Sequence, residues 1–129
     1  MSKQLYSTGT KWEEMAGYSR AVRVGDRIIV GGTVASGDDG VVGEGDPAAQ
    51  FHFILDRIGT SIEALGGRFE DIIRIRIYIS DVVHAPAIIN VHKERLGEIR
   101  PVNTLVEAKL VAPEYLVEVE VEAIVGAGD

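Results

Sequence analysis

Asp71-Ile72-Ile73-Arg74-Ile75-Arg76-Ile77-Tyr78-Ile79-Ser80 alternates with period two: Ile73, Ile75, Ile77 and Ile79 fall on one face, and Arg74, Arg76 and Tyr78 on the other. Side chains along a strand point to opposite faces in turn, so the pattern predicts a long central strand over 71–80, apolar on one side and charged on the other. A sheet built around it has to cover one face with helices and give the charged face either water or partners.

The helices lie on either side of this stretch. Upstream, Asp46-Pro47 places a carboxylate acceptor ahead of a proline whose missing N–H costs nothing in a first turn. Phe51, Ile54, Leu55, Ile58, Ile62 and Leu65 then recur at helical spacing, and Gly66-Gly67 ends the stripe as a C-cap. Downstream, 81–96 returns to helical spacing through Ala85, Ile88, Ile89, His92 and Leu96, with Gly97 as the stop. Farther out, Tyr18 to Val24 and Arg27 to Thr33 read as a hairpin across Gly25-Asp26, and Gly31-Gly32 reads either as a bulge or close approach or as a flexible strand ending. Gly37-Asp38-Asp39-Gly40 reads as a turn in a solvated loop. Asn103 to Val111 and Leu116 to Ile124 are the last strands, with a frayed tail after them. The order ββαβαββ predicts a single α+β domain over 1–129: one mixed sheet with two helices on one face.

Bulk composition narrows the chemistry. The hydrophobic fraction of 46% against 26% charged is that of a globular chain needing no staple. With no cysteine, thiol nucleophiles and thiolate metal sites are excluded. The N-terminus lacks the apolar core of a secretory signal, and no apolar run approaches the roughly 20 residues of a membrane span, so the expected location is the cytoplasm. A net charge of −7 argues against nucleic acid and anionic membranes as partners.

Local motifs exclude more. His52, His84 and His92 are not spaced as metal ligands on one helix face, and His92 reads as a satisfied core or edge residue. The glycines between 37 and 45 do not open onto a helix with Lys-Ser or Lys-Thr, so neither a metal nor a nucleotide cofactor is expected. No serine sits in a nucleophile elbow. Glu118, Glu120 and Glu122 alternate at roughly 7 Å intervals, close enough to raise the pKa of one of them where buried. Glu118 and Glu122 read as solvated.

Gly17-Tyr18-Ser19-Arg20-Ala21-Val22-Arg23-Val24-Gly25-Asp26, Ile29-Val30-Gly31-Gly32, Asp46 through Gln50, Leu65-Gly66-Gly67, Arg100-Pro101-Val102-Asn103-Thr104 and Val117 through Ile124 together resemble, in order and spacing, the Rid (reactive intermediate deaminase) family. The same family is called YjgF or L-PSP endoribonuclease. The resemblance implies a chorismate-mutase-like sandwich and a homotrimer with inward-facing sheets and ligand clefts between subunits. It further implies hydrolysis of imines and enamines to ammonia and a keto acid. On this resemblance Glu120 positions the attacking water, Tyr18 is an aromatic wall, and Gly31, Gly32 and Thr33 supply backbone beside a small-molecule ligand. Asn103, with Thr104 next to it, occupies the place of an arginine that grips the substrate carboxylate.

That departure bears on substrate choice, because Asn offers one neutral amide where Arg offers a permanent charge and a planar fork of donors. Charge-assisted bonds contribute on the order of 1.5 to 3 kcal/mol each, so amino-acid-derived imines are expected to bind more weakly by about tenfold or more. Read as a strand residue, Arg100 falls on the face opposite Asn103 and is not expected to replace the missing charge. Arg23, Arg74 and Arg76 lie on strands that could border a cleft, where a neighbouring subunit could supply the missing charge. The competing reading is a trimer that binds a metabolite, or a chaperone-like surface, without turnover. Ribonuclease activity is disfavoured by the acidic charge and the lack of a basic patch.

Overall fold

In the computed structural model, which describes residues 2–129, the chain forms β1 (Lys3–Tyr6), α1 (Lys11–Ala16), β2 (Ala21–Val24), β3 (Arg27–Thr33), the two-residue strands β4 (Ser36–Gly37) and β5 (Gly40–Val41), α2 (Pro47–Ala64), β6 (Ile72–Ile79), α3 (Ala85–Leu96), β7 (Val102–Glu107) and β8 (Val117–Ile124). Six strands pair in the order β1-β2-β3-β8-β6-β7. Every pair in this sheet is antiparallel except β6 with β7, which α3 joins as a parallel crossover, so the sheet is mixed as expected. Both long helices cover one face.

The core is the α2 stripe pressed on that face. Phe51, Ile54, Leu55, Ile58 and Ile62 are fully buried, as are Ile28, Val30, Val117 and Val119 from the sheet. Each such side chain contributes roughly 1.5 to 3 kcal/mol by leaving water. Asp46 caps α2 by accepting from the Ala49 N–H at 3.1 Å. At the other end Arg23, read above as a candidate cleft cation, donates to the carbonyls of Leu65 and Gly25, both at 2.8 Å, and so closes the helix instead. Gln50 is fully buried: its amide donates to the Gly43 and Glu114 carbonyls and its oxygen accepts from the Leu116 N–H, tying two loops to α2.

Several boundaries differ from the sequence expectation, each for a local reason. The β6–β8 register shifts between Ile72 and Arg74. A bulge there places Ile73 outside the core, 38% exposed, and gives its position to Ile72. On α3, Ile88 and Leu96 are buried as expected, but Val91 is buried in place of Ile89, which is exposed. The strand expected over 103–111 ends at Glu107, and the one expected from Tyr18 starts at Ala21. β1 and α1 were not foreseen. α1 is short and is held by its cap, in which the Thr10 hydroxyl accepts from the Glu13 N–H. The C-terminal tail is not frayed: buried Asp71 accepts from the Gly128 N–H at 2.9 Å, and Arg68 pairs with Asp129.

Candidate functional site

The sheet face away from the helices carries the charges that alternation put there. Cross-strand register sets Glu122 against Arg74, Glu120 against Arg76 and Glu118 against Tyr78. Glu120 Oε1 accepts from the Tyr78 hydroxyl at 2.6 Å and lies 3.6 Å from an Arg76 nitrogen. One carboxylate oxygen is thereby held by a hydroxyl and a cation, and the other is left for a further donor, such as a water. The hydrogen bond to Glu120 and burial raise the Tyr78 phenol above its usual pKa, so it remains a donor. Thr104 stands opposite Arg76 on β7, on this same face.

The Gly31-Gly32 segment borders Glu118 and Glu120 from β3. Val30 pairs with Val121 and Thr33 with Val119, so one extra residue is accommodated between them. The bulge turns backbone toward the carboxylates: a Cβ on Gly32 would stand 2.2 Å from Glu118 Oε2. Glycine is required there for Glu118 to lie where it does. Thr33 is buried with its hydroxyl on the Gly31 carbonyl at 2.8 Å, so it staples the bulge and offers a ligand only backbone. Arg20 closes the group, donating to the Gly32 carbonyl at 2.6 Å with its guanidinium 5.9 Å from the centre of the Tyr18 ring. Tyr18 itself follows the α1 C-cap Gly17, whose φ of 77° suits glycine, and is 44% exposed.

Glu118, read as solvated, is half-buried beside Gly32. Burial raises its pKa, the nearby Arg20 charge works against that, and Glu120 adds to it. Arg20, Tyr78 and Glu118 were missed as site residues, and Arg76 was named only for lying on a strand that could border a cleft. Alternation located three of them on the correct face, but the approach to Gly32 that sets Glu118 apart has no signature in the sequence.

Asn103 lies elsewhere. It is level with Ile75 in the parallel β6–β7 pair, and Ile75 is a core residue, so Asn103 points to the helix side of the sheet. There it lines a groove of about 440 Å³ between α3 and β7. Ile77, Ile88, Leu96 and Leu105 give the groove an apolar lining, and Lys93, Arg100, His92 and Asn103 give it polar groups with no carboxylate among them. Arg100 reaches this groove because it precedes β7 and has a φ of 55°, the only positive φ outside glycine among the described residues. Strand alternation therefore does not apply to it, and the expectation that it faces away from Asn103 is overturned. His92 is not satisfied: its Nε2 is shielded without a partner, and burial lowers its pKa.

The two halves of the expected site thus occupy opposite faces of one sheet: Glu120, Thr104, Gly32 and Tyr18 in one group, Asn103 and Arg100 in the other. No cluster of three or more His, Asp or Glu suited to a metal occurs among the described residues, and none of their helices is long and apolar enough to cross a membrane.

Together these features define an α+β sandwich with a carboxylate-bearing open sheet face and a cationic groove at its edge. The family model for endoribonuclease L-PSP matches residues 8–125, and the chain belongs to that family, the YjgF or Rid family. An uncharacterised protein of Streptomyces coelicolor is 40% identical over 126 residues, which cover 95% of this chain and 92% of that protein. A RutC family protein of Pyrococcus abyssi is 26% identical, covering 93% of this chain and 95% of its own length. The crystal structure of Rv2704 from Mycobacterium tuberculosis, described as a member of the highly conserved YjgF/YER057c/UK114 family, superposes with a TM-score of 0.87 at 40% identity. That match covers 96% of this chain and all of the other.

Proposed function

We propose that this protein is a hydrolase of C=N bonds acting in clefts between copies of the chain, with Glu120 holding the attacking water and Asn103 with Arg100 of a neighbouring copy binding the substrate. The observation that carries the reading is the division of the site. A carboxylate prepared on one oxygen by Tyr78 and Arg76 stands on one face of the sheet, and the groove with recognition groups stands on the other. A single chain has no means of presenting both to one small molecule, and a closed ring of copies does. Exposed Val102 and Val106 share the open face with these charges, which supports covering of that face by another copy.

Recognition is divided in the same way. Asn103 is a neutral donor and acceptor suited to a carbonyl or amide, and Arg100 and Lys93 supply the positive charge that the family pattern has at position 103. The substrate class that fits is a small imine with an apolar side chain and an anionic end. The direct test follows disappearance of the imine that L-amino-acid oxidase generates from L-leucine, with wild type, Glu120→Gln and Asn103→Arg. Hydrolysis by the wild type, lost in Glu120→Gln and preserved or increased in Asn103→Arg, supports the reading. Equal rates with and without wild-type protein refute it.

A further inference from the structure

We propose that Glu118 is the proton donor that works opposite Glu120 in this reaction, delivering a proton to the substrate nitrogen while Glu120 takes one from water. The inference rests on the hydrolase reading above and adds a second reacting residue to it.

The two carboxyls are neighbours on the same face of β8, with their Cα atoms roughly 7 Å apart. Their surroundings are opposite. Glu120 has a hydroxyl and a guanidinium on one oxygen. The Glu118 carboxyl has no hydrogen bond among the described residues, is half-buried, and lies against Gly32, where a Cβ would come within 3.2 Å of its carboxyl carbon. The ionisable groups facing it from each neighbouring element are Arg20 ahead of β2, Tyr78 and Arg76 on β6, and Glu120 on its own strand. Arg20 is engaged with the Gly32 carbonyl and the Tyr18 ring. Burial, aided by the Glu120 charge, acts against ionisation of Glu118 and outweighs the opposing charge of Arg20. Two carboxyls whose environments push them apart form a natural acid and base pair.

The chemistry balances without a further reactant. In the first step water oxygen bonds to the imine carbon, the C=N electron pair moves onto nitrogen, nitrogen takes the Glu118 proton and Glu120 takes the water proton. In the second, Glu120 returns its proton to the amine nitrogen, Glu118 accepts the proton of the new hydroxyl as C=O forms, and the C–N bond breaks. Ammonia and the carbonyl compound leave, with both carboxyls in their starting states. The backbone of Gly31 and Gly32 flanks the site at which the oxygen develops charge.

The test compares Glu118→Gln and Glu118→Asp with wild type on the leucine-derived imine, across the pH range in which the wild type is folded. A donor must be protonated to act, so wild-type kcat is expected to fall as pH rises through the Glu118 titration. Glu118→Gln is expected to lose about 10²- to 10⁴-fold in kcat together with that alkaline limb, and Glu118→Asp to retain the limb at reduced kcat. Carbon-13 NMR of labelled glutamate, read in wild type and Glu118→Gln, is expected to show Glu118 titrating above free glutamate. A Glu118→Gln enzyme with wild-type kcat and an unchanged pH profile overturns the donor role and leaves the hydrolase reading standing. A titration at or below that of free glutamate also overturns it. A wild type without imine hydrolysis overturns the hydrolase reading itself and this role with it.

Discussion

Replacing Glu13 by glutamine is expected to destabilise the N-terminal segment that delivers Tyr18. Glu13 is buried, and its two oxygens accept four hydrogen bonds: Ser7 Oγ at 2.6 Å and the Thr8 N–H at 3.1 Å on one, Thr8 Oγ1 at 2.5 Å and Thr10 Oγ1 at 2.8 Å on the other. Its carbonyl also accepts from the N–H groups of Gly17 and Tyr18. Burial alone would raise the carboxyl pKa, but the bonds from Ser7, Thr8 and Thr10 outweigh it and hold the group at about 2, against an ordinary 4.5. That difference corresponds to about 3 kcal/mol at neutral pH. Because the folded pKa is depressed, the contribution is complete above the ordinary value of 4.5 and is lost as pH falls through about 2. Urea unfolding of wild type and Glu13→Gln is therefore expected to differ by about 3 kcal/mol at neutral pH, with the gap closing toward about pH 2. A gap below about 1 kcal/mol at neutral pH, or one that stays constant on acidification, would refute the reasoning.

Three further outcomes are expected. Arg100→Gly relieves a left-handed conformation that costs an arginine roughly 1 to 2 kcal/mol, so it is expected to raise Tm while raising KM for anionic imines; unchanged KM would remove Arg100 from recognition. Tyr78→Phe deletes the donor to Glu120 and is expected to lower kcat by about ten- to a hundredfold, with the melting curve read in parallel to separate activity from folding. Phe51→Ala removes the largest fully buried side chain and is expected to cost about 3 to 5 kcal/mol in urea unfolding.

The parts of the fold legible in the sequence are those in which one pattern repeats. Alternation along 72–79 and 117–124 identified the central strands and their charged face, and the 3.6-residue stripe from Phe51 to Ile62 identified the covering helix. What was not legible depended on single residues. The bulge at Ile73 exchanges two adjacent isoleucines, which hydropathy does not distinguish. α1 is too short for a stripe and is fixed by the Thr10 cap and the Glu13 hydrogen bonds. Arg100 was assigned to the wrong face because its backbone leaves the strand before Pro101. The candidate site divides in the same way: the family resemblance pointed to Glu120, Thr104 and the paired glycines, whereas the Glu118 approach to Gly32 and the Tyr78 bond to Glu120 belong to the third dimension.

The claim that one site draws on two copies of the chain is tested most directly by mixing two inactive variants. Glu120→Gln and Arg100→Glu, each unable to hydrolyse the leucine-derived imine alone, are unfolded together, refolded at equal ratio and assayed. In a random closed ring, about one quarter of the clefts receive an intact Glu120 from one subunit and an intact Arg100 from the next, so about a quarter of wild-type activity is expected to return. A mixture as inactive as its two components would contradict the account.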